Sequence, residues 1–123
     1  MANRILVVED NDDSRSMFVI ILQRFYGYET IEAATGSEAV EKAIAEKPDL
    51  ILMDLGLPDI SGVDAAKAVK KNPTTEHIPI IAYTAWPSRI WKTKALNAGM
   101  VDYLEKPVHM ELIKETIEKF ILP

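Results

Sequence analysis

The sequence predicts an α/β fold: a doubly wound, five-stranded parallel sheet in the order 2-1-3-4-5, flanked by five helices. Three observations carry that reading. Short apolar runs alternate five times with stretches of helical periodicity. The connections are short, with no linker, internal repeat or low-complexity tract. The central run Leu50-Ile51-Leu52-Met53 passes straight into Asp54-Leu55-Gly56-Leu57-Pro58, as expected of a strand buried on both faces and stopped by turn residues. Strict alternation of strand and helix implies parallel strands covered by helices on both sides.

The elements follow in chain order. Residues 4–8 (RILVV) form the first strand and end in Glu9-Asp10. Residues 11–26 show helical spacing, with Met17, Ile20, Ile21 and Phe25 expected on the inward face and Gly27 closing the helix. Residues 28–33 alternate and form the second strand. Thr35 and Glu38 fit a capping box that opens a helix running to about Glu46, and Pro48 ends it. The third strand spans 49–53. After the turn at 58–62, a third helix covers 63–71 and stops at Asn72-Pro73. Residues 78–83 (IPIIAY) form the fourth strand, followed by Thr84. A fourth helix covers 88–98 with Gly99 as its stop, and 101–104 (VDYL) form the fifth strand, entering Glu105-Lys106-Pro107. The last helix spans 109–121, with Leu112, Ile113, Ile117, Phe120 and Ile121 expected to face inward.

A chain of 123 residues is long enough to bury a real core and short enough for one domain, 1–123. Composition is that of a globular protein, 48% hydrophobic and 27% charged, which excludes disorder. No apolar run approaches the ~18 residues needed to span a bilayer, and Met1-Ala2-Asn3-Arg4 leads into no signal-peptide core. The absence of cysteine excludes disulfides and thiolate metal sites, and makes a cytoplasmic location the default. A net charge of -5 argues against direct nucleic-acid binding, because no basic stripe is present to neutralise phosphates.

In an open α/β sheet ligands bind beyond the carboxyl ends of the strands, at the point where strand order reverses. In the order 2-1-3-4-5 that point lies between strands one and three, so Glu9, Asp10 and Asp54 become neighbours. Strand four adds Thr84 and strand five adds Lys106. Two carboxylates ~4 Å apart repel by ~4 kcal/mol at an effective dielectric near 20, so three acids together bind a proton or a cation. A hard divalent ion with oxygen ligands suits them, and Mg²⁺ (or Mn²⁺) suits a site with few carboxylates, several waters and a phosphate. Lys106 and Thr84 are then placed to bind the remaining oxygens of a phosphoryl group, with Asp54 as the nucleophile. Each residue has a plainer reading alone. Asp54 reads as a helix cap, Glu9-Asp10 as a cap and first-turn acid, Lys106-Pro107 as a turn and Thr84 as a strand residue. Their coincidence at one sheet edge is what points to chemistry.

ILVVED at 5–10, LILMDLGLPDISG at 50–62, a fourth strand ending in Thr84-Ala85, and AGMVDYLEKP at 98–107 together resemble the receiver domain of two-component response regulators, a flavodoxin-like fold. The resemblance spans nearly the whole chain. It implies that Asp54 is the phosphoacceptor, that Glu9, Asp10, Asp54 and the backbone carbonyl of Gly56 hold Mg²⁺, and that Lys106 contacts the phosphoryl group. It also implies a cis Lys106-Pro107 peptide. Thr84 would move to the phosphoryl oxygen and Tyr103 would turn inward, altering the face made by the fourth helix, fifth strand and fifth helix. The plainer reading of Tyr103 is an amphipathic residue half-packed on an edge strand, and Ile90, Trp91 and Lys94 read as ordinary helix surface, with Trp91 expected to be partly packed. The implied donor is a histidine kinase or histidine phosphotransfer protein. As a stand-alone chain it is expected to give output through contact with a downstream protein, as a monomer or a phosphorylation-dependent dimer; as an excised domain, a longer parent chain would carry the output.

Two positions depart from common practice in this family. Gly56, two past the acceptor, brings no side chain, and Trp86, two past Thr84, is large and followed by Pro87. The resemblance implies that both places border the phosphoryl group and can tune its hydrolysis. Trp86 is expected either to screen an acyl phosphate from water, with Pro87 stiffening the loop, or to pack outside the site. Other functions fit less well. A phosphatase with an aspartyl nucleophile would usually carry a second acid two residues on, where Gly56 stands. A flavin-type cofactor binder would need a phosphate loop after strand one, where Glu9-Asp10 repel phosphate. A non-phosphorylated module of the same fold has no use for the full set of acids, Thr and Lys.

Overall fold

The computed structural model describes residues 3–121. Met1, Ala2, Leu122 and Pro123 of the expected 1–123 unit therefore lie outside the described residues. The chain alternates strictly: β1 Arg4–Val8, α1 Asp12–Arg24, β2 Glu29–Ala33, α2 Gly36–Glu46, β3 Leu50–Met53, α3 Gly62–Lys71, β4 Ile80–Thr84, α4 Ser88–Asn97, β5 Asp102–Glu105 and α5 Met110–Phe120. The five strands form one sheet in the order β2-β1-β3-β4-β5, and every pairing is parallel.

Side chains of the inner strands alternate between two cores, because successive residues of a strand point to opposite faces. Leu6, Val8, Ile51, Met53, Ile80 and Ala82 meet α2, α3 and α4 on one face. Those helices contribute Ala39, Ala43, Ala65, Ala66 and Ala95, whose small side chains bring backbone close to the sheet. Ile5, Val7, Leu50, Leu52 and Ile81 meet α1 and α5 on the other face, through Phe18, Val19, Leu22, Ile113 and Ile117. Leu50, Ile51, Leu52 and Met53 are all buried, as a strand covered on both faces requires.

Helix ends follow the local chemistry. Asn11 caps α1, its side chain accepting from the Ser14 N–H at 2.8 Å. Thr35 caps α2 by accepting from Glu38 N–H at 3.0 Å. The Glu38 carboxylate reaches back one residue further than a capping box prescribes, to Ala34 N–H at 2.6 Å. Ser61 caps α3. Lys47 takes the left-handed conformation (φ 48°) after α2, so the helix has already ended when Pro48 arrives. Strand limits differ from expectation by one or two residues, most at β4, which begins at Ile80 after Pro79.

The inward faces of α1 and α5 require correction. Met17, Ile20 and Phe25 are exposed and Ile21 is half-buried, while Phe18, Val19 and Leu22 enter the core. On α5, Leu112 and Phe120 are exposed, Ile121 is half-buried, and Ile113, Thr116 and Ile117 are buried. Both helices carry more apolar residues than one stripe can bury, so periodicity alone does not select the stripe. Thr116 takes a core position because its hydroxyl donates to the Leu112 carbonyl at 2.7 Å, which satisfies it within the helix.

Candidate functional site

Sheet register assembles the site. β1 and β3 pair Val8 with Met53, so the next residues, Glu9 and Asp54, leave the sheet side by side. The Asp54 N–H still bonds to the Val8 carbonyl at 3.0 Å, which holds the acid at the strand end. Register also levels β4 with β5 at Thr84 and Glu105, and Lys106 N–H bonds to the Thr84 carbonyl at 2.8 Å. The Lys106-Pro107 peptide is cis.

Carboxylate oxygens of Glu9, Asp10 and Asp54 lie within 4.8 Å of one another. The Lys106 ammonium stands 3.3 Å from Glu9 Oε1 and 3.5 Å from Asp54 Oδ2, over the ring of Tyr83. Asp54 Oδ1 accepts from Gly56 N–H at 3.2 Å. Glu9 Oε2 is buried and has no hydrogen-bond partner among the described residues. An orphaned buried carboxylate oxygen is costly. The donor set is all hard oxygen, which fits a divalent cation such as Mg²⁺.

Burial first, and then hydrogen bonding to Asp54, push the Glu9 carboxyl up to about 7, against the pull of Lys106. Burial also works against the Asp54 carboxylate, but hydrogen bonds from Glu9 and Thr84, the Lys106 charge and the Gly56 N–H outweigh it and hold Asp54 low. Glu9 is thus pushed toward its neutral form and Asp54 is held toward its ionised form. Burial disfavours the Lys106 ammonium, yet the charges of Asp54 and Glu9 raise its pKa.

Close packing fixes the loop after Asp54. A Cβ on Gly62 would fall 2.1 Å from the Asp54 carbonyl oxygen, so only glycine lets the start of α3 lie on the Asp54 backbone. Gly62 N–H in turn bonds to the Leu55 carbonyl at 2.9 Å.

Thr84 is fully buried, and its hydroxyl accepts from Trp86 N–H at 3.3 Å. Tyr103 is buried rather than half-packed at an edge: its hydroxyl donates to the Trp86 carbonyl at 2.6 Å. Both peptide groups of Trp86 are thus held by residues of the expected switch pair. The Trp86 indole lies against Gly56, where an added Cβ would sit 3.1 Å from Nε1, and it packs on Trp91 with ring centroids 4.5 Å apart. The Lys94 ammonium sits 4.6 Å above Trp91. Ile90 is exposed, whereas Trp91 packs against the core.

Sequence reasoning missed Arg15, whose guanidinium bonds to the Glu9 carbonyl, and Asp59, which caps α2 from the loop after β3. Neither sits in an apolar pattern. The one available signal was an arginine one helical turn after the Asn11 cap.

Comparison with known proteins identifies the family. The family model described as response regulator receiver domain matches residues 5–118. The polar-differentiation response regulators DivK of Brucella anthropi and Brucella abortus are each 35% identical over 121 residues, 98% of both chains. Among solved structures, the receiver domain of a sensor histidine kinase of Pseudomonas aeruginosa PAO1 is 32% identical, with a TM-score of 0.89 over 98% of each chain; that structure holds a magnesium ion coordinated in its active-site cleft. The chemotaxis protein CheY4 of Vibrio cholerae is 30% identical, with a TM-score of 0.90 over 98% of this chain and 100% of that one. The chain belongs to the response regulator receiver domain family, the signalling switches of two-component systems.

Proposed function

We propose that Asp54 accepts a phosphoryl group from a phosphohistidine of a histidine kinase or histidine phosphotransfer protein. One observation carries this reading: Glu9, Asp10, Asp54, Thr84 and Lys106 converge at one sheet edge. An Asp54 carboxylate oxygen attacks phosphorus, the P–N bond to the donor imidazole breaks, and an acyl phosphate forms. Glu9, Asp10, Asp54 and the Gly56 carbonyl would hold Mg²⁺ (or Mn²⁺), which neutralises charge on the transferring phosphoryl oxygens. Lys106 binds a phosphoryl oxygen as a point charge. The Thr84 hydroxyl turns from Trp86 N–H to another such oxygen. That turn frees the Trp86 peptide, which Tyr103 holds from its other side, and so changes the α4–β5–α5 face presented to a downstream protein.

On this reading the chain is a phosphoacceptor that assists only its own phosphorylation and dephosphorylation, and not an enzyme acting on other substrates. Its acidic charge of -5 favours protein partners over nucleic acid. No helix among the described residues is long and apolar enough to cross a membrane. We place it in the cytoplasm, as a monomer or a phosphorylation-dependent dimer.

Intact mass after incubation with acetyl phosphate and Mg²⁺ tests the proposal. Wild type gains one phosphoryl group in a metal-dependent manner, and Asp54→Asn gains none. If wild type gains none from acetyl phosphate or from a phosphorylated histidine donor, and beryllofluoride leaves tryptophan fluorescence unchanged, the non-phosphorylated module replaces this reading.

A further inference from the structure

The three acids of the site are not equally held. Glu9 has Lys106 as a side-chain partner, whereas the exposed Asp10 side chain forms no hydrogen bond or ion pair among the described residues. Where Asp10 points is therefore set by its backbone. The peptide plane joining Glu9 to Asp10 contains the Glu9 carbonyl, and that oxygen accepts a 2.8 Å hydrogen bond from Arg15 Nη1. On the other side, Glu9 N–H bonds to the Ala33 carbonyl at 3.0 Å.

Arg15 is itself anchored. Its Nη2 donates to Asp12 Oδ1 at 2.7 Å and its Nε to Glu32 Oε1 at 3.1 Å, and the side chain is only 15% exposed. One planar fork thus ties the first turn of α1 and the strand β2 to the peptide that links the two acids. We infer that Arg15 is a positioning residue, which orients the Glu9-Asp10 peptide so that Asp10 is aimed at the divalent cation. The inference rests on the reading that Glu9, Asp10 and Asp54 bind that cation.

The sign of the effect separates this role from simple charge balance. As a nearby positive charge, Arg15 opposes a bound cation, so its removal would tighten Mg²⁺ binding. As a clamp on ligand orientation, its removal weakens Mg²⁺ binding, by ~10-fold on the scale typical of groups that orient metal ligands. The experiment is a calorimetric Mg²⁺ titration of wild type, Arg15→Gln and Arg15→Lys, with thermal melting as a check of folding. Arg15→Lys keeps the charge and replaces the fork with a single ammonium, so it guards against a folding defect in Arg15→Gln. Weaker binding in both variants supports the inference, and the Asp10 and Asn11 amide resonances should broaden or shift with it. Unchanged or tighter binding in Arg15→Lys, with wild type binding normally, overturns it. No Mg²⁺ binding by wild type overturns both this inference and the metal reading beneath it.

Discussion

At the scale of single residues, the position two past Thr84 is the most individual feature of the site. Trp86 does not stand away from Gly56: its indole edge fills the space that a side chain at residue 56 would occupy. A small residue at 56 and a large one at 86 are therefore one packing solution, and the sequence shows both halves without showing that they meet. Trp86 is further backed by Trp91. Water approaching an acyl phosphate on Asp54 past Gly56 would meet the indole. Trp86→Ala is expected to shorten the lifetime of phosphorylated protein about threefold, under 1 kcal/mol of barrier, read as decay of the phosphorylated mass. An unchanged lifetime would mean that the ring only packs. The acids, Thr84 and Lys106 were legible because each ends a recognisable strand. The Tyr103 hydroxyl bond to the Trp86 carbonyl was not, because it joins β5 to the loop after β4 through a backbone atom that no pattern of side chains reveals.

At the scale of elements, strands and caps were readable and helix faces were not. Thr35 and Ser61 act as the caps their residue types suggest, since a hydroxyl satisfies an N–H that the helix cannot. The faces of α1 and α5 depend instead on which stripe meets Val7, Leu52 and Ile81, a matter of tertiary contact. The N-terminus of α2 has a second cap that only the fold supplies. Asp59, from the loop after β3, accepts from Gly36 N–H at 2.8 Å, from Ser37 N–H at 3.0 Å and from Ile60 N–H at 2.7 Å. The Ser37 side chain first, and then these N–H groups, hold the Asp59 carboxyl far below its ordinary 3.8. A folded-state pKa lower than the unfolded one makes the contribution to stability full above the unfolded value and lost as pH falls through the folded value. Asp59→Asn should therefore melt lower than wild type at neutral pH, by an amount that is constant down to about pH 5 and shrinks below pH ~4. Thermal melts of both proteins across that range measure the difference. A gap independent of pH would show that the carboxylate charge contributes nothing there.

At the scale of the whole molecule, the two cores and the acidic edge work against each other. Continuous apolar strands are buried on one face by alanine-bearing helices and on the other by α1 and α5, with β1 and β3 in register. That same register drives Glu9 and Asp54 together, with Glu9 Oε2 left without a partner among the described residues. Folding thus creates a site that is unfavourable by itself, and a cation bound there must return stability to the entire fold. A ligand that binds only the folded state adds RT ln(1 + [L]/Kd), or about 2.7 kcal/mol at a hundredfold excess over Kd. For a domain of this size, each kcal/mol raises Tm by roughly 4 °C. Mg²⁺ at a hundred times its Kd should therefore raise Tm by ~10 °C, and Asp10→Asn should lose most of that rise while keeping its metal-free Tm or gaining a little. A scan of Tm against Mg²⁺ concentration for the two proteins checks this. Equal shifts would place the ion elsewhere on the acidic surface, whereas a shift confined to wild type ties whole-molecule stability to the carboxyl ends of β1 and β3.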